Sequence, residues 1–353
     1  LFVLVGIIGI KQISLADLAV MDAAKDGWIA VIAGGIFPLF SLWLFTGALR
    51  YLPVDSFIEM NRYLFHRFLG PVISCLFIVY VMVLESLILR IASLVSHTFL
   101  LPNTPLGVII AIFLASAVYL VRMGGTVVGR VNELLSYVIA VIFCMVVLIA
   151  VFGGDYTNLL PVGASGPEAI AKATLKMAWT YCGMESLMVF YWLTTRKDEV
   201  TKAGLMAIVI SCLIYVTVIV AAIMIFNTEF LIKTTWSLVG IFKTVQLPVL
   251  ERIDFFFLLM FVGLVIRPIG TLFLLAIIPL EEMLKNRLKG YTSIIPYVIA
   301  TVIFGLTQLM TNSLDIQRWV KMLFPFTLMA QIGYPLLIFI FARLRGKRVI
   351  TNA

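Results

Sequence analysis

The chain is predicted to be an all-α membrane protein of ten transmembrane helices, forming a single transmembrane domain over residues 1–353. Three observations lead to this reading. Of its 353 residues, 62% are hydrophobic and 12% charged, and the mean hydropathy is +1.12, far outside the range of soluble globular domains. With about 20 residues needed to cross a hydrocarbon core of about 30 Å, a chain of this length holds about ten crossings and little else. Alternation of the β-barrel kind is absent throughout, so the apolar segments are read as helices.

The segments lie within residues 1–21, 28–49, 71–97, 106–121, 134–152, 169–193, 203–226, 255–280, 294–310 and 322–342. The first opens at Leu1 without an initiator Met, so a short N-terminal tail is expected to precede it; no small-residue cleavage site follows, so no cleaved signal peptide is expected. Between the second and third segments, "PVDSFIEMNRYLFHRFLG" places Ser56 and Glu59 in a capping-box pattern. Phe57, Met60, Leu64 and Phe68 recur there at helical spacing, which predicts an interfacial helix over about residues 54–69. The longest outer connection, residues 227–250, contains "TTWSLVGIFKTVQ", which fits either a short helix over the outer mouth or a passive connector.

Placing the N-terminus in the cytoplasm puts fifteen Lys and Arg residues in cytoplasmic connections and eight outside, with the C-terminus cytoplasmic as well. The net charge of +8 then reads as topology and attraction to anionic membrane lipid, with no aromatic-interleaved basic patch to bind nucleic acid. Cys75, Cys144, Cys182 and Cys212 lack zinc or disulfide spacing and read as packing residues. The only histidines, His66 and His97, belong to no metal or catalytic motif, so no metal, cofactor, catalytic residue or enzyme activity is expected.

Polar interruptions of the apolar segments carry the functional reading. A charge at the bilayer centre costs roughly 2.5–3.5 kcal/mol, so Lys11, Glu85, Glu185 and Arg267 each need a partner, a water-filled cavity or a task. They fit buried ion pairs that tie helices together, or a polar pathway. Glycine supplies the second signal: "LVGIIGIKQ" in the first segment and "YCGMES" in the sixth set Gly beside a polar residue at matching places in two five-segment halves, about 1–153 and 167–343. Each Gly taken alone fits close helix packing equally well. Their matched placement points to two interrupted helices around a midplane site for a small zwitterion.

The stretches "AKDGWIAV", "LLPNTPLGVI", "GMES" and "ERIDFFFLL", in this order, resemble the spore germinant receptor B-subunit permeases, relatives of the amino acid, polyamine and organocation transporters. The similarity runs over essentially the whole chain. It implies a LeuT-like core of two inverted five-helix repeats with helices 1 and 6 broken around a small-nutrient site. It also implies a place in the bacterial inner membrane of spores beside an A subunit and a C-subunit lipoprotein. By position, Gly9 falls at the break in the first helix, Gly183 and Glu185 match the sixth-helix motif, and Glu85 matches a polar third-helix position. Lys11 and the Arg267–Pro268 pair depart from the family pattern.

The expected ligand, an amino acid or similar nutrient, is predicted to contact Gly9, Ile10, Tyr181, Gly183 and Met184, whose freed N–H groups can receive a carboxylate. Lys11 is predicted to pair with Glu185 or Glu85. Glu85 and Arg267 are predicted to face a polar cavity, paired directly or bridged through water or ligand. A germinant-receptor subunit and a proton- or cation-coupled amino acid transporter share this core, and both readings stay open at this stage.

Overall fold

The computed structural model describes residues 1–9, 15–234, 236–244, 253–284 and 292–345, and every regular element among them is helical. The first apolar segment holds α1 (Phe2–Ile7) and α2 (Leu15–Ala23), and the second holds α3 (Gly27–Gly34) and α4 (Ile36–Leu49). The apolar run Leu15–Leu49 folds back on itself at Ala24, whose φ is 42°. A methyl group added at Gly27 would lie 3.1 Å from the carbonyl carbon of Ala19, eight residues back, which a continuous helix would hold about 12 Å away.

The same device shapes α5 (Phe57–Phe99). Its backbone breaks at His66 (φ 80°), and a methyl at Gly70 would sit 2.6 Å from the amide nitrogen of Arg62. A short amphipathic helix therefore folds against the long one. Its start is capped as the sequence predicts: Glu59 N–H donates to Ser56 Oγ at 3.1 Å, and the Glu59 carboxylate accepts from Asp55 N–H at 3.3 Å. Phe57, Met60 and Leu64 are buried, but Phe68 is 67% exposed, because the predicted apolar face ends at the His66 bend. At the far end of α5, His97 Nδ1 lies 3.0 Å from the Thr104 carbonyl oxygen.

The chain continues through α6 (Leu106–Arg122), α7 (Gly125–Gly153), α8 (Gly166–Thr180), α9 (Leu187–Phe190) and α10 (Val200–Ile225). The connection after α10 forms α11 (Thr228–Lys233) and α12 (Ser237–Lys243), with residues 245–250 outside the described set. Leu238, Val239, Ile241 and Phe242 of α12 are buried, and Trp236 packs edge-on to Phe99 at 5.5 Å, so this segment is a packed helix and no passive connector. Last come α13 (Ile253–Leu284), α14 (Ile295–Gln308), α15 (Ser313–Leu328) and, after a π-helical turn at Met329–Gly333, α16 (Tyr334–Arg345).

Among the described residues six helical runs are long and apolar enough to cross a membrane, with α6 and α14 as shorter apolar helices. The chain is a multi-pass membrane protein. α13 is the central element, with 78% of its most apolar window buried against 22% for α7, whose Leu134, Tyr137, Leu148 and Phe152 face outward. Of the cysteines expected to pack inside, Cys182 is buried but Cys75 and Cys144 are exposed: in a bilayer an apolar segment has no reason to hide every small apolar side chain.

Lipid tails are as apolar as Leu, so helices here need polar ties and close backbone contacts to select their neighbours. Asn132 of α7 donates to Thr271 of α13 at 2.9 Å. Asp22 of α2 forms ion pairs with Lys172, at 3.2 Å, and with Lys176 of α8. Beside them Asp26 accepts from the Gly163 and Ser165 N–H groups at 2.7 and 2.8 Å, and Ser165 Oγ donates to the Ala23 carbonyl at 2.7 Å.

Candidate functional site

Both predicted interruptions are present, and they touch. α1 ends at Ile7, and α8 ends at Thr180, followed by a turn, a 3₁₀ turn at Met184–Ser186 and then α9. Gly183 has φ 129°, in the region that favours glycine, and a methyl there would lie 2.1 Å from the Gly6 carbonyl carbon. A methyl at Gly6 would in turn approach the Gly183 carbonyl oxygen to 2.8 Å. Backbone meets backbone, which no side chain can relieve. The contact glycine of the first segment is therefore Gly6; Gly9, three residues on, would offer a methyl to Pro268 Cβ at 3.7 Å, an ordinary packing distance.

Helix ends leave carbonyl and amide groups without intrahelical partners, and here three helices supply them. Tyr215 of α10 donates its hydroxyl to the Ile7 carbonyl at 2.6 Å and lies 3.3 Å from the Thr180 carbonyl, so one side chain bridges both breaks. Gln331, in the π-helical turn, donates Nε2 to the Tyr181 carbonyl at 3.0 Å. Glu185 is 1% exposed and accepts twice, from Gly183 N–H at 2.7 Å and from the Tyr80 hydroxyl of α5 at 3.0 Å. A carboxylate in the first turn of a helical segment also meets the positive end of its dipole. Ser186 closes the turn, donating Oγ to the Gly183 carbonyl at 2.6 Å.

The predicted site residues are thus partly gathered and partly not. Gly183, Met184, Tyr181 and Glu185 lie together at the junction, all buried. Tyr181 directs its hydroxyl at the Val31 carbonyl of α3, 3.0 Å away, and packs edge-on to Tyr215 at 5.3 Å. The Gly183 N–H expected to meet a ligand is engaged by Glu185 in this conformation. Ile10 and Lys11 lie outside the described residues, and with them the predicted pairing of Lys11.

Glu85 and Arg267 are buried at 0% and 1% exposure on the packed pair α5 and α13. They are not hydrogen-bonded to each other: among the described residues both Glu85 oxygens lack a partner, while Arg267 donates Nη2 to Ser136 Oγ of α7 at 3.2 Å and has no partner for Nε and Nη1. The direct pair allowed by the sequence is absent because Arg267 is turned toward α7. Two further buried polar atoms at the junction have no partner among the described residues, Thr180 Oγ1 and Gln331 Oε1, each on a residue of 0% exposure.

Sequence reasoning missed Gly6, Tyr80, Thr180, Tyr215 and Gln331. Two of these left a sequence signal: Gly6, within the "LVGIIGIKQ" stretch but passed over for Gly9, and Gln331, an amide within the last apolar segment. No group of three or more His, Cys, Asp or Glu among the described residues is placed to hold a metal ion.

Comparison with known proteins gives a family model described as "Spore germination protein" matching residues 1–313. Spore germination protein YndE of Bacillus subtilis (strain 168) is 21% identical over 266 residues, covering 75% of this chain and 73% of the relative. Spore germination protein KB of the same organism is 28% identical over 243 residues, covering 67% and 65%. Spore germination protein GerQB of Bacillus cereus is 23% identical over 251 residues, covering 71% and 68%.

Proposed function

Because this chain belongs to the spore germination protein family, we propose that it is the B-type membrane subunit of a nutrient germinant receptor, binding an amino acid at the junction of two broken helices. In this reading ten crossings form two inverted repeats of five, in the spore inner membrane with both termini cytoplasmic, beside A and C subunits. One observation carries it: the backbone contact of Gly6 with Gly183, flanked by the unpartnered Thr180 Oγ1 and Gln331 Oε1. An amide oxygen that accepts from an ammonium and a hydroxyl that donates to a carboxylate suit a zwitterion. Unpaired buried polar groups cost about 1–3 kcal/mol each, which a bound ligand recovers.

The junction also suggests how occupancy is sensed. A ligand carboxylate competes with Glu185 for the Gly183 N–H, and displacing Glu185 releases its bond to Tyr80, so α5 and the 3₁₀ turn before α9 lose their tie when ligand arrives. A second reading, a proton- or cation-coupled amino acid transporter, is favoured by Glu85 and Arg267, two buried groups not hydrogen-bonded to each other, which suit a polar path better than a static tie.

A thermal-shift screen of the purified protein against amino acids, sugars and nucleosides tests the ligand class: amino acids are expected to stabilise it, and a response to sugars alone would overturn the assignment. Gly183→Leu, with its fold checked by circular dichroism, is expected to abolish the response; a full response would place the site elsewhere. Net uptake of the same ligand into liposomes separates transporter from receptor.

A further inference from the structure

The two short apolar helices stand side by side on the outer surface of the bundle. α6 has 17 residues and α14 has 14, giving lengths of about 25 and 21 Å against a hydrocarbon core of about 30 Å. Between them runs a groove of about 690 Å³. Its floor includes Ala111 and Ala115 of α6 and Ala300 of α14, small side chains that let an aliphatic chain lie close to both backbones.

One end of this groove is polar. Arg122, the exposed last residue of α6, donates Nη1 to the Tyr297 hydroxyl at 2.5 Å and lies over that ring at 5.5 Å. A guanidinium has five N–H donors, and Tyr297 is the one acceptor found for it among the described residues. Tyr119 and Tyr297 are 62% and 47% exposed beside it.

We propose that this groove binds an anionic phospholipid, one acyl chain lying on the alanine floor and the phosphate on Arg122 between Tyr119 and Tyr297. The argument is charge complementarity combined with length. At the end of a helix too short for the bilayer, an arginine lies below the headgroup level unless the local bilayer thins or a headgroup is drawn down to it. A phosphate satisfies the guanidinium fork bidentately, which water and hydrocarbon at that depth do not. The groove lining offers Arg122 and no carboxylate, so it favours a net negative headgroup over a zwitterionic one that carries its own cation. The tyrosines have the amphipathic character of residues that settle at the membrane interface.

The experiment is native mass spectrometry of the purified full chain in detergent with equal amounts of phosphatidylglycerol and phosphatidylcholine of identical acyl chains. The parent is expected to retain one phosphatidylglycerol in preference to phosphatidylcholine. Arg122→Gln removes the charge and Ala115→Phe fills the floor without touching it; each, with its helix content checked by circular dichroism, is expected to lower phosphatidylglycerol retention at least tenfold. Equal retention of both lipids by the parent, or unchanged retention by both variants, would overturn the proposal. Inorganic phosphate displacing the lipid at equimolar concentration would make this a free-anion site, and a second copy of the chain found in the groove by cross-linking at Ala115→Cys would make it a protein interface; either overturns it.

Discussion

Replacing Tyr80 by Phe removes one hydroxyl and almost nothing else, since the ring keeps its place and Tyr80 is only 8% exposed. The lost bond is one of the two that hold the Glu185 carboxylate, the other being to Gly183 N–H at 2.7 Å. A hydrogen bond to a charged group contributes about 1.5–3 kcal/mol, and about 1.4 kcal/mol is a factor of ten in an equilibrium constant. If a ligand carboxylate must displace Glu185 from Gly183, weakening Glu185's hold by that amount raises the ligand's affinity by at least about tenfold in the limit where the whole loss falls on the closed junction. The amine formed by decarboxylating the same ligand has nothing to displace Glu185 with, and its affinity is expected to stay unchanged. Isothermal titration of parent and Tyr80→Phe protein with both compounds measures this directly. An unchanged or weaker affinity for the acid, in a variant of normal helix content, would refute competition between ligand and Glu185.

Other outcomes follow from the same geometry. Gly6→Ala is expected to lower the thermal midpoint and ligand affinity together, because its methyl meets the Gly183 backbone at 2.8 Å and overpacking costs about 1–3 kcal/mol; a variant indistinguishable from the parent would show that the contact is unimportant. Glu85→Gln keeps shape and removes charge, and is expected to change the pH dependence of ligand response or flux, so a response identical to the parent across pH would leave Glu85 a static residue. Asp17 of α2 holds Ser237, the first residue of α12, through its side chain and backbone; Asp17→Asn is expected to speed hydrogen exchange over residues 237–243, and unchanged exchange would mean that the apolar face of α12 holds it without help.

Hydropathy located the helices, because each predicted segment carries helix where the residues are described. It placed a reversal between residues 21 and 28 and a junction after about residue 69, but not the turning residues Ala24 and His66 themselves, since neither is a glycine or proline and both take positive φ under tertiary packing. The sixth-segment break was legible in Gly183 and Glu185 because a carboxylate beside glycine has no place in an uninterrupted apolar helix. In the first segment two glycines three residues apart lie on nearly one helical face, and only the position of Gly183 selects Gly6 over Gly9. Rotation of a helix about its own axis is invisible to a hydropathy profile. Arg267 therefore reads as a partner for Glu85, while the packing of α13 turns it to Ser136. Tyr80 and Tyr215 leave no signal in the sequence because the hydroxyl that does the bracing is one atom on an otherwise apolar ring.

The ion pairs and caps that join α2 to α8 decide which parts of the chain can shift independently. Asp22 grips two lysines of α8, and Asp26 holds the backbone just before that helix begins. α2 and α8 are thereby strapped into one lever, with the glycine contact at Gly6 and Gly183 as its fulcrum. A tilt of either helix carries the other with it, and the stroke is delivered to whatever lies beyond the fulcrum: α1 on one side and α9 on the other.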